Sequence, residues 1–271
     1  MKAGIVLFVS CLLCIGCGRG SSSSSGPNSS ITSGNWTLTA TSTVTLGLVL
    51  SIGGSLTQSG DAVSGAFYVS SSVSGCPSLP VGVMPFTGIF KGNTLTLTSV
   101  KFSNQVVTVN ATGSGNSLTG TYAVTGGCAD GDKGTVAASY LPPLTGVWTG
   151  TFTNVDGTSI PVDPNNPREV ATATLMLTQS STATNGIFPL SGTFSTNLAP
   201  GSVCFSSGTI PGTGSTTGAY VTGTSVAISA VSADGAEISY VGPLNGRRME
   251  LFQNRNAPST CKFGEFLNLV Q

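Results

Sequence analysis

The chain has 271 residues, with ten basic and ten acidic side chains, so charged residues reach only 7% and the formal net charge is zero. Such a surface exerts no electrostatic pull on nucleic acid or anionic lipid, and this excludes both as charge-driven partners. There is no histidine, which removes the commonest general base and the commonest imidazole ligand, while a 39% hydrophobic fraction is enough for a sizeable core.

The first segment reads MKAGIVLFVSCLLCIGC. Lys2 precedes an apolar run from Ala3 to Ile15. The run is shorter than the roughly 20 residues of a membrane-spanning helix but suits the apolar region of a signal peptide. Ile15-Gly16-Cys17 resembles the lipobox of bacterial lipoproteins. Cys14 occupies the place three before Cys17, where that pattern has Leu, and Leu13 stands one position earlier. The resemblance covers residues 1–17 alone. It implies removal of residues 1–16, acylation of Cys17, and a lipid anchor in the bacterial cell envelope. Gly18 follows Cys17 where inner-membrane lipoproteins often have Asp, which leans towards the outer membrane or cell surface. GRGSSSSSGPNSS follows, a Gly- and Ser-rich flexible coil. Residues 17–32 are thus read as a lipidated cysteine and its tether.

Past the tether two stretches share a design. SGNWTLTA begins at Ser33 and LTGVWTGTF at Leu144, each with Gly two residues before Trp (Gly34 and Trp36, Gly146 and Trp148). LTQS then recurs at Leu56 and Leu177, and a Pro-Pro hinge, YLPPL, lies between the copies. The expected domains are residues 33–141 and 142–271.

Runs such as TLTLTSVKF and VVTVNATG alternate apolar and hydroxyl side chains with period two, so one face meets a core and the other water. Turn residues recur every eight to twelve positions, at Gly60-Asp61, Gly92-Asn93, Gly115-Asn116 and Asn245-Gly246 among others. The pattern predicts an all-β protein of two tandem antiparallel domains, up-and-down barrels or sandwiches. About eight strands fall in the first copy, a number that suits a small closed barrel. Gly-x-Trp on the first strand resembles the lipocalin and avidin superfamily, the calycins, where the Trp plugs one end of the barrel. That resemblance implies a hollow barrel carrying a small apolar ligand. As core residues of two sandwiches, the same tryptophans would imply no ligand at all.

If the leader is removed and Cys17 is acylated, four of the seven cysteines remain: Cys76, Cys128, Cys204 and Cys261. An exported, oxidising setting favours disulfides. Pairing within each copy, Cys76 with Cys128 and Cys204 with Cys261, closes two loops of similar length. Zinc would need clustered Cys-x-x-Cys or His ligands, which the chain lacks.

Three stretches were weighed for chemistry. ADGDKG (Ala129 to Gly134) faintly resembles a calcium loop, lacks most of the six to eight oxygens such a site needs, and reads as a solvated turn. VDGTSIPVDPNNPREV (Val155 to Val170) is the longest irregular stretch, and Asp156, Asp163, Arg168 and Glu169 make it the candidate binding loop. GRRMELFQNRN carries Arg247, Arg248 and Arg255 and reads as a solvated basic face that an acidic surface glycan could meet. Catalysis has no visible apparatus. There is no Gly-x-Ser-x-Gly elbow, and no sequence-adjacent pair of carboxylates suited to glycoside hydrolysis. No metal or cofactor is implied. The expectation is a lipid-anchored, non-enzymatic envelope protein with a structural, adhesive or interaction role; the alternative is a carrier of a small apolar ligand. A hollow apolar interior discriminates between them.

Overall fold

The computed structural model of the chain describes residues 30–69, 82–154, 156–163, 166–197, 207–212, 218–231, 237–253 and 266–271. Cys17 and the tether as far as residue 29, Cys76, Cys204, Cys261 and Arg255 lie outside the described residues.

The chain is all-β and forms two closed antiparallel barrels of eight strands. The first is built from β1 (Gly34–Ser42), β2 (Val49–Ser59), β3 (Ala62–Val69), β4 (Gly82–Lys91), β5 (Thr94–Ser99), β6 (Val106–Ser114), β7 (Ser117–Thr125) and β8 (Lys133–Leu141). Each strand pairs with its sequence neighbours, and β8 returns to β1 with Trp36 opposite Tyr140. The expected barrel, and not a sandwich, is thus the architecture. The period-two pattern explains it. In β5, Leu95 and Leu97 point inward and are buried while Thr94, Thr96 and Thr98 are exposed. Closure also removes the free sheet edges that an open sheet would present to other chains.

The second barrel takes β9 (Gly146–Thr153), then a two-stranded excursion, β10 (Pro161–Asp163) and β11 (Asn166–Val170), then β12 (Thr172–Gln179), β13 (Phe188–Thr196) and β14 (Ser207–Ile210). β15 (Tyr220–Thr222), β16 (Ser225–Val231), β17 (Glu237–Asn245), β18 (Arg248–Gln253) and β19 (Phe266–Val270) complete it. β19 pairs back to β9, closing the ring. β14 and β15 share one place in that ring, because both pair with β13 on one side and β16 on the other.

One clamp recurs at the start of each barrel. Trp36 and Trp148 are fully buried, and their indole N–H groups donate to Thr32 O at 2.8 Å and Leu144 O at 3.0 Å. Gln58 and Gln179, the glutamines of the two LTQS runs, accept from the backbone N–H of Ile31 at 2.8 Å and Leu144 at 2.9 Å. Their own N–H groups donate to Ser33 Oγ and Thr145 Oγ1, each at 3.1 Å. The incoming chain is therefore tied to the second strand of its barrel at the end that the Trp seals.

The barrels touch through backbone. Asn35 points out of the first barrel yet is 1% exposed. Its amide donates to Gly223 O at 3.0 Å and accepts from Gly223 N–H at 2.7 Å. Gly223 sits in the β15–β16 turn with φ of 53°, and a Cβ there would lie 2.5 Å from Gly53 Cα. A side chain at either glycine would force the barrels apart. Replacing Asn35 with Ala leaves the Gly223 N–H and C=O buried without that partner, a loss of about 1–3 kcal/mol from the contact. Calorimetry of Asn35→Ala is expected to resolve two unfolding transitions where the wild type shows closer coupling, with the strand signature in circular dichroism unchanged. An unaltered melting profile would mean that the contact couples nothing.

Candidate functional site

The two ends of the first barrel differ. At the Trp36 end the hairpins are tight, turning at Gly60-Asp61, Gly92-Asn93 and Gly115-Asn116. At the other end the connections are longer, and there a cavity of about 250 Å³ opens into the barrel. Its walls are mainly aliphatic and aromatic, with Leu38, Ile52, Val69, Met84, Phe86 and Val109 among the inward-facing side chains. The rim is apolar too: on the β1–β2 connection Val44 is 58% exposed and Leu46 fully exposed. A buried void of this size in a close-packed fold calls for an explanation.

The second barrel supplies it. Counted from the clamp Trp, Ala40 stands four residues after Trp36 and Phe152 four after Trp148. Counted from the next hairpin, Val109 in β6 matches Tyr240 in β17, since Ser114 pairs with Ser117 and Asn245 with Arg248. Phe152 and Tyr240 are each 1% exposed, with ring centroids 6.3 Å apart. Burial pushes the Tyr240 phenol well above its ordinary pKa. They belong to a continuous core with Phe188, Phe194, Leu251 and Leu267. An eight-stranded barrel is just wide enough for side chains to fill or for one small ligand. Large residues fill the second interior, whereas Ala40 and Val109 leave the first one hollow.

Polar groups gather on one side of the mouth. Asp132 accepts from Ser42 Oγ at 2.5 Å through Oδ1 and from the Tyr122 phenol at 2.8 Å through Oδ2. Ser42 Oγ in turn accepts from the N–H groups of Val44 at 3.1 Å and Thr45 at 2.8 Å, which anchors the rim connection. Gln105 Nε2 donates to Cys128 Sγ at 3.1 Å, and Asp130 accepts from Gly126 N–H at 2.6 Å. Tyr122 is pushed up to about 12, first by burial and then by the hydrogen bond it donates to Asp132 and by the charge of that carboxylate, with Ser42 opposing.

Sequence reasoning missed this site. ADGDKG is the largely exposed β7–β8 turn that its sequence suggests, but Asp132 within it lies at the cavity mouth and bonds to strands β1 and β7. The missed clue was positional: Asp132 immediately precedes β8, which pairs with both of those strands. The candidate loop lies elsewhere. Its irregular stretch contains the β10–β11 hairpin of the second barrel, on which Asp163 pairs with Asn166 and which also carries Arg168 and Glu169. Asp156 is exposed and accepts from Thr158 N–H at 2.9 Å and Thr158 Oγ1 at 2.6 Å, bonds that hold its carboxyl below the usual range. It shapes its own turn. Arg247 and Arg248 sit exposed at the β17–β18 turn. Cys128, the sole cysteine among the described residues, is disulfide-bonded and lines the mouth. Among the described residues no group of three or more Cys, Asp or Glu could hold a metal ion.

These features define a protein of two closed eight-stranded β-barrels, one hollow and one filled, compatible with a calycin-like fold. No family model matches the chain, and neither a curated protein nor a solved structure matches it.

The Tyr122 pKa has a consequence for stability. A phenol whose folded pKa of about 12 exceeds its ordinary 10.0 contributes stability that is fully present below pH 10. That contribution is lost as pH rises through 12. Urea unfolding between pH 9 and 11.5 should therefore show a flatter alkaline decline for Tyr122→Phe than for the wild type. Identical slopes would remove Tyr122 as a source of the pH dependence.

Proposed function

We propose that the protein is a lipid-anchored, non-enzymatic envelope carrier whose first barrel binds a small, mainly apolar molecule. The observation that carries this reading is the apolar cavity of about 250 Å³, open at the end opposite Trp36. Its size limits the ligand. It exceeds the roughly 150 Å³ engineered cavity that takes up benzene and falls below the roughly 300 Å³ at which drug-sized pockets begin. A molecule of one ring with a short side chain, or a short branched chain, fits that range. The exposed Val44 and Leu46 give such a solute an apolar place to land beside the opening.

On this reading the second barrel is a packed module that braces the first, and the first belongs with the calycin-type carriers that Gly-x-Trp resembles. Cys17 carries the acyl anchor, the Ser-rich tether holds the barrels off the membrane, and Cys76–Cys128 and Cys204–Cys261 are the disulfides. The purely structural or adhesive role has less support, because a structural module gains nothing from a hollow centre.

Two measurements test this. Cys17→Ser should shift the protein from the membrane to the soluble fraction, and continued anchoring would defeat the lipoprotein reading. Native mass spectrometry of gently extracted protein should show a retained small molecule on the wild type that is missing from Ala40→Phe, the substitution that copies the second barrel's Phe152. Wild type and variant both bare, or both carrying the same mass, would count against the cavity as the binding site.

A further inference from the structure

We propose that the ligand of the first barrel is an amine: an apolar body inside the barrel and a protonated nitrogen at the mouth, held by Asp132. The inference rests on the carrier reading and adds to it the chemistry of the ligand's polar end.

The hydrogen-bond inventory of the mouth leads there. An ionised carboxylate has about four lone-pair sites and no donor. Ser42 and Tyr122 occupy one site on each oxygen of Asp132, which leaves acceptor capacity on both. The Tyr122 hydrogen is committed to Asp132, so the phenol oxygen can only accept from a ligand. The Ser42 hydrogen is committed there as well, and Ser42 Oγ already takes two backbone N–H groups. Asp130 adds a second acid to the lining. At Asp132 and Tyr122 a ligand's polar head must therefore donate hydrogen bonds.

Charge narrows the class further. No Lys or Arg is among the residues that line the cavity. Lys101 and Lys133, the nearest cations in sequence to the mouth, are exposed. The β1–β2 connection beside the mouth, residues 43–48, contains no charged residue. A carboxylate or phosphate head would meet Asp132 with nothing to neutralise it, in surroundings whose low polarity strengthens the repulsion. An ammonium gains a charge-assisted hydrogen bond, about twice as strong as a neutral one. A neutral alcohol falls between.

The test compares three probes with one aromatic body and three heads: 2-phenylethylammonium, 2-phenylethanol and phenylacetate. Each is titrated by calorimetry into full-length detergent-extracted protein, with Ala40→Phe as the reference for uptake outside the cavity. The expected order is ammonium tightest, by roughly tenfold over the alcohol, and phenylacetate weakest. Asp132→Asn should bring the ammonium down to the level of the alcohol, with the strand signature in circular dichroism showing that the variant folds; a retained preference for the ammonium would overturn the amine proposal. Equal binding of all three, or preference for phenylacetate, would overturn the amine proposal while the carrier reading stands. Failure of even 2-phenylethanol to bind more to the wild type than to Ala40→Phe would overturn the carrier reading itself.

Discussion

Closing a sheet of eight strands fixes the width of its interior, and everything else in this molecule follows from what the inward side chains do with that width. Strand spacing and tilt leave a tube of nearly constant bore. Both barrels inherit the same bore and the same Trp seal. What differs is the volume on the inward positions beyond the seal. Phe152 and Tyr240 meet across the second interior and close it, as their ring contact shows. Ala40 and Val109 cannot reach across the first. Two small residues in matching places therefore separate a packed module from a hollow one, without any change in backbone design.

The seal also decides which way the hollow barrel opens. Trp36, tied to Thr32, and Gln58, tied to Ile31, fasten the incoming chain under one end. With that end occupied and its hairpins tight, the longer connections and the polar cluster fall at the other. The contact with the second barrel respects the same polarity. It uses the outer face of β1 and β2, at Asn35 and Gly53, and leaves the mouth uncovered. An asparagine suits this contact because its side-chain amide offers both a donor and an acceptor, the complement of the C=O and N–H of one residue, Gly223. Gly186, in the connection between β12 and β13, comes close to the Ala66 and Gly54 backbone beside it, so two backbone turns of the second barrel meet the outer face of the first.

Much of the fold was legible in the sequence, and the reason is local. Period-two alternation, as in TLTLTS, records which face of a strand is buried, and turn residues record where strands end. Neither needs long-range information. Gly-x-Trp and Leu-Thr-Gln-Ser were visible as repeated motifs, although only the structure shows that they form one hydrogen-bonded clamp. The cavity was not legible, because a void is a property of eight strands together. Ala40 in TLTATS looks like any inward strand residue, and its smallness matters only once Val109 is known to lie across the same interior. The partners of Asp132 were hidden for a related reason. In a sequence an acid between glycines is a turn; only the pairing of β8 with β1 and β7 brings Ser42 and Tyr122 to its oxygens. Asp156, Asp163, Arg168 and Glu169 drew attention because charge is scarce in this chain, and Asp156 holds its own turn through Thr158.

Scarcity does bear on Asp132. In a chain with ten acids, a carboxylate at the mouth of an apolar cavity carries weight that it would lack on a heavily charged surface. Few other charges compete with its field. A carboxylate also costs desolvation wherever it is drawn partly out of water. Ser42 and Tyr122 bond to different oxygens of Asp132, so an asparagine here would keep only one of the two acceptors. Ser42 and Tyr122 offset part of the cost by solvating the charge, and the raised Tyr122 pKa reflects the burial and the negative charge around that phenol. What the carboxylate adds is a localised negative charge beside an apolar opening, and that is useful for selecting what enters.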